Sequence, residues 1–186
     1  MCWSAQGSLG AYSLGMALAA LSKYQGTLDP KMWFFMVLFT HMQLVEYFLW
    51  KNLSVPTLNV MWSAVGLGLI LAEPAAALNM LSDKRLLALY TVGALTYVLT
   101  QPINFTTVVG GNGHLKWNWL AQTWTWGIPW IIALLVPFLL TKEYVALAFG
   151  LVTLFISLYF NNKYRTFASY WCWLGIGAWV LALLRR

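Results

Sequence analysis

Seven apolar stretches, separated only by short charged or Pro/Gly-bearing breaks, take up most of this sequence: 3–21, 32–50, 59–80, 86–103, 119–140, 143–160 and 167–184. A helix needs about 20 predominantly apolar residues to cross the hydrocarbon core of a bilayer, so each stretch is a candidate span. Only 9% of the residues are charged and 61% are apolar, against roughly a quarter and a half in soluble domains. So few charges cannot clothe a surface facing water, and the same composition excludes disorder. The expected architecture is an all-α polytopic membrane protein, one domain of seven transmembrane helices over residues 1–186. Connections as short as Thr141-Lys142-Glu143 make successive spans antiparallel neighbours.

Basic residues concentrate on the cytoplasmic side of membrane proteins. Connections on one side carry Lys51, Lys116, Lys163 and Arg165; the other side carries Lys23, Lys31, Lys84, Arg85, Lys142, Arg185 and Arg186. Seven against four places the N-terminus outside and the C-terminus in the cytoplasm. The first stretch has no basic leader, which favours a retained helix over a cleaved signal peptide. Between spans 4 and 5, Phe105–Val109 and His114–Trp117 flank Gly110-Gly111-Asn112-Gly113 and read as a short outer β-hairpin. Trp62-x3-Gly66-x-Gly68 and Trp171-x3-Gly175-x-Gly177 recur on spans of the same direction, which suggests a weak 3+1+3 repeat.

At about 100° per residue, six spans gather polar or small residues on one stripe. Span 1 gathers Gln6, Gly10, Ser13 and Ala17; span 2, Gln43, Glu46, Tyr47 and Trp50; span 3, Asn59, Ser63, Gly66, Glu73 and Ala77. Span 4 gathers Tyr90, Gly93, Tyr97, Gln101 and Asn104; span 5, Asn118, Gln122, Thr125 and Pro129, flanked by a second stripe of Trp119, Trp126 and Trp130; span 6, Gly150, Thr153, Ser157 and Asn161. Lipid cannot satisfy such groups, so the stripes should face the bundle interior, as helix glue or as the wall of a polar path. Glu46 and Glu73 sharpen the second alternative. An ionised carboxylate at such depth costs at least about 2.5–3.5 kcal/mol, and no Lys or Arg inside a span can pair with it. His41 lies on the opposite face of span 2 and would form a proton relay if it met Glu73. Glu73-Pro74, Gln101-Pro102 and Pro129 each free a backbone carbonyl within a span.

Tryptophan is abundant, and Trp3, Trp50, Trp62, Trp117, Trp119, Trp171 and Trp173 fall near the expected outer boundary. An interfacial belt accounts for most of them; an aromatic-lined cavity opening outward is the alternative. Other chemistries drop out. A retinal Schiff base needs a lysine within a span, and two His and two Cys spaced far apart do not compose a metal or haem site. No metal and no cofactor is therefore expected, and the net charge of +6 reports headgroup-facing loops rather than nucleic acid. Cys2 and Cys172 fall on the same expected side, and two free thiols are expected over a disulfide.

The opening Met1-Cys2-Trp3-Ser4-Ala5, with His41-Met42-Gln43-Leu44-Val45-Glu46 and Trp50, resembles a family of multi-pass membrane proteins without an assigned activity. Its members begin Met-Cys-Trp-Ser and carry Gln-x-x-Glu-x-x-x-Trp in the second span. The resemblance covers the first fifty residues or so and implies that Cys2, Trp3, Ser4, Gln43, Glu46 and Trp50 act as one element.

The leading expectation is a polar, aromatic-walled intramembrane cavity that binds or transports a small solute or a proton. Gln43, Glu46 and Trp50 would stand near its mouth, with Glu73, Tyr97, Gln101 and Gln122 continuing the path. Two alternatives stand beside it: a lipid-modifying enzyme with Cys2 or Ser4 as nucleophile and Glu46 as base, and a structural or assembly protein without a ligand. The partners expected are the lipid bilayer and a small-molecule or lipid ligand, with a homo-oligomer left open.

Overall fold

A computed structural model of the chain describes residues 4–120 and 124–184, and it is mostly helical. The helices are α1 (Ala5–Gln25), α2 (Pro30–Lys51), α3 (Pro56–Leu78), α4 (Arg85–Thr100), α5 (Trp124–Leu140), α6 (Tyr144–Asn161), α7 (Phe167–Gly175) and α8 (Gly177–Leu183). Between α4 and α5, strands β1 (Thr107–Val109) and β2 (Leu115–Trp117) pair antiparallel, Val108 opposite Lys116, so the expected hairpin is present. Pro30–Lys51, Pro56–Leu78 and Tyr144–Tyr164 are long and apolar enough to cross a membrane; Arg85–Thr100, Trp126–Leu140 and Phe167–Leu183 are shorter apolar helices.

Local chemistry sets the helix ends. Ser4 caps α1, its hydroxyl accepting the Gly7 N–H at 3.1 Å, and α1 closes on Gly26 in the left-handed region. Asp29 caps α2 ahead of Pro30, a first-turn proline that has no N–H to leave unsatisfied. Several ends differ from the expected spans: α1 runs on to Gln25 rather than stopping at 21, and α3 starts at Pro56 rather than 59. α4 stops at Thr100 rather than near residue 103, because Pro102 holds Gln101 extended, so this proline terminates the helix instead of kinking it. The helix expected from residue 119 begins at Trp124. Asn118 and Trp119 belong to the hairpin, through Asn118 N–H to Thr106 O and Trp119 Nε1–H to Thr107 Oγ1. The last span is interrupted at Ile176, between Gly175 and Gly177.

Six rods close into a ring: α1 packs on α2, α2 on α3, α3 on α5, α5 on α6, α6 on α7, and α8 on α1. α2 also touches α7 across the ring, while α4 lies outside it against α3. The crossing works because small residues admit close approach. A Cβ on Gly15 of α1 would come within 2.6 Å of Thr40 Cγ2, and one on Gly175 of α7 would overlap the ring of Phe39. Thr40 also donates to Met36 O and accepts the indole N–H of Trp179 from α8, both at 2.8 Å. At the far end Trp33 Nε1 donates to Ala19 O, joining α2 to α1.

The interior stripes are buried on α3 (Asn59, Ser63, Gly66, Glu73, Ala77) and α6 (Thr153, Ser157, Asn161). α1 is a correction. Gln6, Gly10, Ser13 and Ala17 are exposed, and the buried face is Ser8, Ala11, Gly15, Ala19 and Ser22. Side-chain size chose this face, because only the Gly15 side lets α1 approach Thr40.

Candidate functional site

Within the ring, α3, α5, α6 and α7 enclose a cavity of about 460 Å³. Trp126 and Trp130 of α5 and Trp171 of α7 supply its aromatic walls, with Ile70, Leu158 and Cys172 between them. Asn162 and Arg165, in the turn joining α6 to α7, line one end. Trp130 and Trp171 meet edge to face at 5.7 Å, and Trp171 is fixed by donating to Thr153 Oγ1 at 3.0 Å. Tyr97 of α4 stacks on Trp126 with ring centres 4.6 Å apart and supports that wall from behind. A second, smaller cavity of about 80 Å³ lies further along the ring and shares Trp171 as a wall. Its other walls, including Met32, Met36, Phe138 and Leu135, are almost wholly apolar.

A proline builds one side of the large cavity. Pro74 has no N–H, so the Ile70 carbonyl one turn earlier loses its helical donor. Trp130 Nε1 replaces that donor at 2.9 Å, and the Tyr90 hydroxyl donates to the next carbonyl, Leu71 O, at 2.9 Å. These two bonds fasten α5 and α4 to α3 beside Pro74. Glu73, adjacent to Pro74, is fully buried, and among the described residues none hydrogen-bonds either carboxyl oxygen.

The hairpin lies across the end of the bundle and is clamped at both extremities. On one side Asn59 of α3 reads the Thr107 backbone twice, accepting its N–H at 2.8 Å and donating to its carbonyl at 2.9 Å. The Thr107 hydroxyl accepts Trp119 Nε1–H and pairs with Ser63 Oγ, each at 2.9 Å. On the other side Asn112 donates to Asn161 Oδ1 at 2.8 Å and to Thr166 Oγ1 at 2.9 Å. His114 packs edge to face on Tyr170 at 5.4 Å, and burial holds its imidazole below the ordinary value.

These positions redistribute the expected site. Gln43 and Glu46 are fully buried one turn apart on α2, Trp50 is half-buried above them, and Glu73 is buried on α3. None of the four lines the large cavity. Gln101 is exposed past the end of α4, so it is not part of an interior path. Pro129 is likewise exposed. His41 bonds its own helix at Val37 O and stacks edge to face on Tyr12 of α1, so its ring is held against α1. Ser4 is occupied as a helix cap, while Cys2, Trp3 and Gln122 lie outside the described residues. Cys172 is buried in the cavity wall. Sequence reasoning singled out Trp171 only as a boundary residue, and Trp126 and Trp130 only as a secondary stripe. No single helix carries the cavity as a pattern. Compared with protein-family models, curated proteins and solved structures, the chain matches none.

Proposed function

We propose that this chain is a seven-span membrane protein, N-terminus outside, that binds a small solute in the Trp126–Trp130–Trp171 cavity for uptake or recognition. The observation that carries the reading is that cavity: its volume, about 460 Å³, falls in the range of small-molecule sites, roughly 300–1,000 Å³. Mostly apolar walls with a few polar groups at one end are the usual composition of such sites. Further support for multiple spans comes from the outer faces. On α4, Leu86, Leu89, Val92, Leu95 and Leu99 are exposed, and on α6, Val152, Phe155 and Phe160 are exposed. Continuous apolar faces of this kind suit lipid rather than water. The shorter apolar helices are included because α5 and α7 pack in the same ring and α4 packs against α3 on its outside. The pairing of spans 1–3 with spans 5–7 as a repeat belongs to this proposal, on the matching Trp62 and Trp171 elements. Glu73, three residues along α3 from Ile70 and outside the cavity lining, would serve as a buried proton site behind that wall.

Cys172 supplies the test. In a Cys2→Ser background, an anionic, membrane-impermeant methanethiosulfonate reagent added from the hairpin side should modify Cys172 in intact proteoliposomes. Modification only after denaturation in SDS would show that no cavity opens to that side.

A further inference from the structure

The connections at the hairpin end carry Lys51, Lys116, Lys163 and Arg165 and no Asp or Glu, whereas Asp29, Asp83 and Glu143 sit among the seven basic residues of the opposite end. Arg165 is exposed, belongs to the cavity lining, and stands at the entrance. Its guanidinium is charged at every physiological pH and presents a planar fork suited to a carboxylate or phosphate. Asn162 lines the same end, with an amide able to donate alongside it. Phe167 and Ala168, the first residues of α7, are also in the lining, so the positive end of that helix adds to the same field. Beyond this entrance the lining turns apolar: Trp126, Trp130, Ile70, Leu158 and Ile131, then Trp171, and behind Trp171 the second, apolar cavity.

We infer that the ligand is an anionic amphiphile: a carboxylate or phosphate headgroup held by Arg165 and Asn162, with a hydrocarbon tail lying among the three tryptophans. This rests on the cavity being the binding site and adds the ligand's chemical class and orientation. Trp171 sets the tail length, because it closes the large cavity against the small one. Neutral or cationic molecules of the same size would fill the walls equally well but gain nothing from Arg165.

The test uses three probes of one chain length, octanoate, octanol and octylammonium, titrated by equilibrium dialysis into the full chain in uncharged-lipid nanodiscs. Specific binding is the part removed by a substitution that fills the cavity, Ala168→Trp, with Leu158→Trp as a second variant if the first does not give a monodisperse, helical protein. Octanoate should bind saturably and at least tenfold more tightly than the other two. The Arg165→Gln variant should lose at least tenfold for octanoate alone, and Arg165→Lys, which keeps the charge but not the planar fork, should lose less than Arg165→Gln. Raising the salt should weaken octanoate binding only. Equal binding of octanoate and octanol, unchanged by Arg165→Gln, would overturn the anionic class and leave the cavity as a solute site. No saturable binding of any probe that the filling variants remove would overturn the site itself.

Discussion

The exchange of a helical hydrogen bond for a tertiary one at Pro74 can be measured. The Ile70 carbonyl takes its proton from Trp130 Nε1 at 2.9 Å because residue 74 has none to give. Replacing Trp130 by Phe leaves a buried acceptor unsatisfied, which costs about 1–3 kcal/mol in addition to the lost ring volume. With Pro74 replaced by Ala, the N–H at position 74 returns to Ile70, and the same Trp130→Phe change strands no acceptor. The packing loss is common to both backgrounds and cancels. The two substitutions should therefore be coupled by about 1 kcal/mol, within the range of roughly 0.6–1.7 kcal/mol found for side-chain hydrogen bonds in membrane proteins. The assay is a double-mutant cycle on reversible unfolding in mixed SDS and nonionic detergent micelles, followed by circular dichroism. Coupling within about 0.3 kcal/mol of zero, the limit of simple additivity, would refute the account of why Trp130 sits where it does.

Other outcomes follow from the same contacts. Asn59→Ala strips the Thr107 backbone of both partners and should destabilise the fold by about 2–4 kcal/mol, with faster hydrogen exchange over residues 104–118. Unchanged exchange there would mean that the clamp does not hold the hairpin. Gly15→Ala places a Cβ about 2.6 Å from Thr40 Cγ2 and should cost about 1–3 kcal/mol, whereas Gly10→Ala meets nothing within 4 Å and should stay within about 0.5 kcal/mol of the parent. Comparable losses at both glycines would contradict the α1 face described here. His114 is held below its ordinary value, so the unfolded chain takes up a proton first as the pH falls. Stability should be constant well above about pH 6.5, decline below it, and lose this slope in His114→Phe. A flat profile in the parent protein would refute the burial argument.

Much of the architecture was legible in the sequence because long apolar runs announce helices, and a Gly-Gly-Asn-Gly turn announces the hairpin. α3 was legible face by face, since Asn59, Ser63 and Glu73 are polar enough to reveal the buried side. α1 was not: its residues are nearly uniform in polarity, and the buried face was selected by the space left at Gly15. Trp119 reads like the start of a helix, yet one indole bond to Thr107 keeps it with the hairpin. The cavity was illegible for a different reason. Trp126, Trp130 and Trp171 converge from two helices, and an interfacial belt predicts tryptophans at similar depths without saying that they surround a space. Gln43 and Glu46 were read correctly as buried, but burial does not by itself tell which space a residue borders.

The two adjacent residues Phe39 and Thr40 give α2 a mechanical character of its own. Each fits a notch left by a missing side chain, Thr40 at Gly15 of α1 and Phe39 at Gly175 of α7, and these notches belong to different helices. Turning α2 one way drives a side chain into one neighbour, and turning it the other way drives the second into the other. Sliding it along its axis does both and breaks the Trp179 bond as well. α2 therefore acts as a fixed post that locks α1 and α7 to each other in rotation and in height. Widening of the tryptophan cavity is left to α5 and α6: α5 touches the post edge to face, Phe138 on Phe35, and among the described residues neither helix meets it through a glycine notch.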